Sequence, residues 1–192
     1  MDYLNEIAPQ APPAQINKFA MIGLIIGVLV LAFGALAFLN GGQPNYTQEA
    51  QATYARIETL QAATKEHQSH LTENELSSMN ATLTTSLGSM ASELETTMKE
   101  AKIKTQLSGK EKEKEKAYAD NLTSTLEDAY LTGTLDRVYA RQMSYQLNIL
   151  KSQLQKLRNA SGNRKAIKDF YNTNSKTIDA ATKSFNDFTS TK

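Results

Sequence analysis

One stretch of the chain, residues 19–39, constrains the fold more than any other. It reads FAMIGLIIGVLVLAFGALAFL and contains no charged, amide or hydroxyl side chain. A helix needs about 20 such residues to cross the ~30 Å hydrocarbon layer of a bilayer, where its backbone must satisfy its own hydrogen bonds. We therefore predict a single transmembrane helix over residues 19–39.

The residues that flank this stretch indicate its orientation. Residues 1–18 hold three of the four prolines and predict a short, extended tail. Lys18 is the one Lys or Arg near the membrane on this side, and the next basic residue is Arg56. The positive-inside rule then places the tail in the cytoplasm and the rest of the chain outside, as a single-pass protein of the cell membrane. A cleaved signal peptide ending at 35–37 (Ala-Leu-Ala) is the alternative, but the apolar run exceeds the usual 7–15 residues and favours an uncleaved anchor.

Small residues recur along the apolar run at spacings of three, four and seven. Such spacings gather them on one side of a helix, and Gly23 with Gly27 forms the close-approach motif of paired transmembrane helices. This pattern predicts self-association into a homo-oligomer, although Gly and Ala are common in membrane helices in any case. The face consists of Ala20, Gly23, Gly27, Gly34 and Ala37.

The remainder of the chain has helical periodicity. Residues 40–45 (Asn-Gly-Gly-Gln-Pro-Asn) predict a flexible joint. Apolar residues at spacings of three and four then predict helices over about 46–69, 72–107, 110–131 and 135–160, and a last one around 167–188. Thr72 with Glu75 resembles a capping box for the second. We expect an all-α chain in which the transmembrane helix is followed by an extracytoplasmic, antiparallel bundle of four to five helices over residues 46–190.

Charge is balanced overall but uneven along the chain. The formal net charge is +1, which gives no indication of nucleic acid binding. Residues 40–100 carry 3 Lys/Arg against 8 Asp/Glu, whereas residues 101–192 carry 17 against 10. Acidic helices packed beside basic ones would explain this difference, and so would a basic face for an anionic partner such as a lipid headgroup or a wall polymer.

The chain offers few candidates for chemistry. It has no cysteine, no phosphate-binding glycine loop and no motif for nucleophilic catalysis, so we expect neither enzymatic activity nor a cofactor. The two histidines, His67 and His70, are spaced so that they share a helix face, and with Glu73 they could hold a divalent metal. The alternative is that they are solvated at the end of the first helix.

Four tyrosines invite a second binding interpretation. At helical spacing, however, such residues are more often edges of the core with their hydroxyls at the surface. They are Tyr118, Tyr130, Tyr139 and Tyr145.

Two short segments resemble known proteins. Asp136, Tyr139 and Met143 match the F-D-x-x-Y-x-x-x-M run of extracytoplasmic helical-bundle proteins with a ferritin-like fold. The histidines that those proteins carry after this run, and near the region 178–181 of this chain, are absent here, so the resemblance implies the fold without a metal function. The leader, residues 2–10, resembles that of uncharacterised single-pass proteins of ultrasmall candidate-phyla bacteria.

Together these patterns indicate a bacterial, membrane-anchored helical bundle that acts by binding or scaffolding at the cell envelope. Its expected partners are the lipid bilayer, a second copy of the chain, and an envelope protein or polymer. The alternative function is a ligand- or metal-binding bundle with its site near His67 and His70.

Overall fold

The computed structural model describes residues 45–190, whose regular secondary structure is entirely helical. The prediction of an all-α helical bundle is confirmed for this part of the chain, which holds five α-helices and no strand. The helices are α1 (Tyr46–His67), α2 (Asn74–Glu100), α3 (Gly109–Leu131), α4 (Leu135–Ala160) and α5 (Lys165–Ser190), with a 3₁₀ turn (Gln68–His70) between α1 and α2.

The predicted transmembrane helix and its small-residue face lie outside the described residues. Membrane spanning, the cytoplasmic tail and self-association through Gly23 and Gly27 therefore stay predictions. Among the helices within residues 45–190, none combines the length and the apolar character that crossing a bilayer requires.

Four of the helices form a ring in the order α1, α2, α5, α4 around one apolar core. Side chains that meet across α4 and α5 give their relative direction. The Ser144 hydroxyl donates to Asn186 at 2.5 Å, and Lys151 pairs with Asp179 at 2.5 Å about two turns further along. Residue numbers rise in one helix as they fall in the other, so the two helices are antiparallel.

The fifth helix, α3, packs on the outside of the ring, mainly against α1 and α4. It runs parallel to α1, since Arg56 meets Glu115 near one end and His70 meets Tyr130 near the other. Its buried residues are only three, whereas each of the other four helices buries six to ten. Because burial of apolar surface is the main stabilising term, α3 is held less strongly than the four ring helices.

Two helix ends show how the chain turns between elements. After α2 the Ile103 amide donates to the Met98 carbonyl at 2.8 Å, and the Lys102 amide donates to the Lys99 carbonyl at 3.0 Å. These are the bonds of a Schellman motif, with Lys102 in the left-handed region at φ 56°. The motif ends α2 at Glu100, so the prediction that this helix continues to residue 107 was wrong. Gly133, at φ 66°, ends α3 with the same pattern of bonds.

Candidate functional site

A cleft of about 540 Å³ opens at one end of the bundle. Three parts of the chain converge there, namely the α1–α2 connection, the α3–α4 connection and the last turn of α5. The cleft is lined by His70, Thr72, Glu73, Tyr130, Gly133, Thr134, Leu135, Asp136, Arg137, Phe188 and Thr189. We call this the cleft end of the bundle.

Asp136, in the first turn of α4, fixes one wall of this cleft. Its carboxylate accepts hydrogen bonds from the backbone amides of Thr72, at 3.1 Å, and Glu73, at 2.9 Å, and from the Thr72 hydroxyl at 2.6 Å. These amides precede the first residue of α2, so Asp136 caps α2 from another helix and its charge complements the dipole of α2. The predicted capping box was wrong, because the Thr72 hydroxyl is engaged by Asp136 and not by the α2 backbone.

An aromatic pair also lines the cleft. The rings of His70 and Tyr130 stack with their centroids 4.5 Å apart. Tyr130 is 51 % exposed and its neighbour Leu131 is 80 % exposed, and they are the large hydrophobic residues that the described part of the chain leaves exposed. Tyr130 lines the cleft and Leu131 follows it in the chain, so this end of α3 is the candidate contact surface.

His67 lies deeper than His70 and is only 3 % exposed. Its ring centroid is 6.1 Å from that of His70 and 6.2 Å from that of Tyr139. Neither His67 nitrogen has a hydrogen-bond partner, and Nδ1 of His70 is also buried without one. The interpretation of His67 as solvated at the helix end was wrong, because α4 brings Tyr139 over it.

The three predicted metal ligands do not form one group. His67 and His70 are neighbours, whereas Glu73 is on the cleft wall with His70. Within residues 45–190, no group of three His, Cys, Asp or Glu side chains is arranged to hold a metal ion. The two histidines can thus supply nitrogen donors, but further ligands to any metal would have to come from water or from a bound molecule.

A buried polar network lies next to His67. Asn80, fully buried in α2, accepts a hydrogen bond from the Tyr139 hydroxyl and donates to the Thr64 carbonyl at 2.8 Å and to Oε1 of Gln68 at 2.6 Å. Gln68 in turn donates to Ser77 Oγ at 2.7 Å. The network joins α1, α2 and α4 immediately below the cleft, and it fixes the position of the 3₁₀ turn that carries His70.

The four tyrosines differ in their surroundings. Tyr139 is fully buried in the core, and burial raises the pKa of its hydroxyl far above the usual value. Tyr118 packs against the core beneath Arg56. Tyr130 alone among them is on the cleft, so the alternative interpretation of these tyrosines as one binding cleft was wrong.

An ion pair that no pattern in the sequence indicates holds α3 against α1. Arg56 and Glu115 form a bidentate pair at 2.9–3.2 Å, and their side chains are 11 % and 14 % exposed. Thr59 donates to the same carboxylate at 3.0 Å, and the guanidinium lies 3.3 Å above the centre of the Tyr118 ring. Desolvation by burial raises the pKa of the Tyr118 hydroxyl, and Arg56 opposes that effect.

We expect the stability of the bundle to fall when the pH drops below about 6.5. Burial lowers the pKa of His67 from its usual value of 6.5, with His70 acting in the same direction and Glu66 and Glu127 opposing it. The unfolded chain therefore takes up the His67 proton at a higher pH than the folded chain, and stability falls as the pH drops from about 6.5 through the lowered pKa of folded His67.

Urea unfolding of the full chain at pH 7.5 and pH 5.5 measures this effect. The loss of stability between the two conditions should be smaller in a His67→Gln variant than in the wild type, and His70→Gln is the matched control that retains His67. An equal loss in the wild type and His67→Gln would contradict the assignment to His67.

Comparisons of the chain with protein-family models, with curated proteins and with solved structures find no match.

Proposed function

We propose that the chain is a single-pass membrane protein whose helical bundle acts as a non-catalytic binding or scaffolding module at the outer face of the cell membrane. The observation that carries the proposal is the uncharged run of residues 19–39, which a short joint connects to the helical bundle. The weak positive-inside signal of Lys18 supports the orientation. An anchored module is confined to a plane, which raises its effective concentration toward partners in the same envelope.

The cleft end is the surface that we assign to the envelope partner. Tyr130 and Leu131 expose apolar area beside a cleft whose walls are held by the Asp136 cap and the Asn80 network. The stacked rings of His70 and Tyr130 hold each other in place and lose little conformational entropy on binding, which favours affinity. A protein partner with an apolar side chain for the cleft fits this surface better than a polymer of repeating charge.

Photo-crosslinking in intact membranes tests this assignment. A photoreactive residue placed at Leu131 of the full chain should give a discrete crosslinked product, and one placed at the exposed Lys176 in the middle of α5 should not. A Leu131→Glu substitution should abolish binding of the purified partner. The same products at both positions, or none at Leu131, would show that the cleft end is not the binding surface. The anchor is tested separately, since release of the chain from the membranes by a carbonate wash would contradict it.

A ligand- or metal-binding function is the second candidate, because three buried ring nitrogens of His67 and His70 have no partner. Buried polar atoms of this kind are often satisfied by a water or an ion. Titration of the full chain with zinc or nickel should then show saturable binding that His67→Ala removes. Binding that survives in His67→Ala would place the metal elsewhere.

A further inference from the structure

The end of the bundle opposite the cleft is where the described chain begins. Two connections flank the first turns of α1 at this end. Gln51 donates a hydrogen bond of 2.8 Å to the carbonyl of Lys104, in the α2–α3 connection. Arg164, in the α4–α5 connection, lies 4.2 Å above the centre of the Tyr46 ring. The start of α1 is therefore surrounded by two connections that carry basic residues.

Basic residues are concentrated at this end. Over residues 45–50, 99–116 and 154–169, which we call the basic end, the chain carries 12 Lys/Arg against 6 Asp/Glu. Over residues 62–78, 124–141 and 181–190, at the cleft end, it carries 4 against 7. The unevenness of charge in the sequence is therefore not cancelled by neighbouring helices, and the bundle is positive at one end and negative at the other.

Many of the basic side chains at the basic end are available to a partner. Within residues 45–190, Lys102, Lys104, Lys110 and Lys112 are exposed and form no ion pair. Their neighbours Lys99 and Lys114 are paired with acidic residues one turn away in the same helix, at 2.7 and 2.8 Å. Such exposed pairs are weak and can open when a stronger anionic partner approaches.

We propose that the basic end binds the surface of a bilayer rich in anionic phospholipid. This inference rests on the proposed function, because the predicted membrane span ends at residue 39 and α1 begins at Tyr46, on the basic end. The tether keeps these lysines within reach of headgroups, and each Lys or Arg near an anionic surface strengthens binding about fivefold. A soluble anionic polymer lacks this tether, so the lipid surface is the partner that the position of the lysines favours.

The absence of cysteine from the chain makes a direct test possible. The full chain is reconstituted into nanodiscs of phosphatidylcholine, or of phosphatidylcholine with 30 % phosphatidylglycerol. A fluorophore is placed by Asn163→Cys at the basic end or by Ser69→Cys at the cleft end, both at exposed positions. We expect a headgroup-attached quencher to quench the Asn163 label at least threefold more with phosphatidylglycerol than without it. The Ser69 label should be unaffected, and 0.5 M salt should remove the difference because screening is then strong.

Charge variants identify the residues responsible. Changing Lys102, Lys104, Lys110 and Lys112 to Gln should abolish the effect of phosphatidylglycerol on the Asn163 label. The matched control changes four basic residues away from the basic end, Lys65, Arg141, Lys176 and Lys183, and should retain the effect. Both variants lose the same total charge, so only the position of the charges differs.

Other outcomes would overturn the proposal in distinguishable ways. A chain that enters the discs but shows equal quenching in both lipid compositions lacks the lipid contact, although its anchor is intact. Quenching that soluble polyphosphate abolishes while phosphatidylglycerol has no effect would assign the basic end to a polymer. A chain that does not enter the discs contradicts the proposed anchor, and this inference with it.

Discussion

Replacing Glu115 with alanine is expected to lower the free energy of opening α3 by about 3–5 kcal/mol, because the substitution leaves the buried Arg56 guanidinium without its counter-charge. Few apolar contacts compensate for this loss, since α3 buries only Leu122, Leu126 and Ala129. Native-state hydrogen exchange of the full chain in detergent measures this opening free energy. The protection of the α3 amides should decrease, while the protection of the α2 and α5 amides should change little.

Two controls isolate the cause. Glu111→Ala removes a carboxylate of the same helix that pairs with the exposed Lys114, and it should change the opening free energy by about 0.5 kcal/mol or less. The double change Arg56→Met with Glu115→Leu replaces the pair by apolar groups and should restore much of the protection. If Glu115→Ala resembled Glu111→Ala, the ion pair would not be what holds α3.

Replacing Asn80 with alanine should destabilise the bundle by about 3 kcal/mol, since it leaves the buried Tyr139 hydroxyl without its acceptor and removes the donor to the Thr64 carbonyl and to the half-buried Gln68 amide oxygen. Equilibrium urea unfolding gives this difference. The exposed Asn148, which also donates to a backbone carbonyl, provides the control, and Asn148→Ala should cost about 0.5 kcal/mol or less.

A second substitution shows whether the stability lost in Asn80→Ala reflects the hydrogen bonds of the network. Tyr139→Phe alone should cost about 1 kcal/mol, the ordinary net value of a hydrogen bond. In the Asn80→Ala background the same change should cost nothing or be favourable, because the hydroxyl has already lost its acceptor. Additive effects would contradict the coupling of these two residues.

The sequence predicts the helices better than the contacts that join them. Apolar spacing places α1, α3 and α4 within a few residues of their observed bounds, since this pattern reports the buried side of each helix. The end of α2 was missed because the Schellman motif has Lys102, and not glycine, in the left-handed position.

The candidate site depends on contacts that local patterns cannot reveal. Asp136 caps amides that lie more than sixty positions earlier in the chain, so the residues near Thr72 contain no sign of it. Glu115 stands within an alternating run of lysine and glutamate that predicts a solvated helix, and only the position of Arg56 on α1 distinguishes it from Glu111 and Glu113. His67 was predicted as a candidate metal ligand from its residue type and its spacing from His70. Its burial could not be predicted, because it depends on the distant Tyr139.

The positions of the chain entry and of the cleft at opposite ends of the described bundle have a mechanical consequence. The chain enters the described bundle at the basic end, whereas a partner on the cleft would pull at the other end. Force between the two would run along the helix axes, from α1 across its interface with α3, where Arg56 pairs with Glu115, to Tyr130 and Leu131 at the end of α3. Loading in this direction shears whole interfaces at once and does not peel helices away one residue at a time. The bundle would therefore resist extension between the proposed membrane anchor and a proposed partner at the cleft.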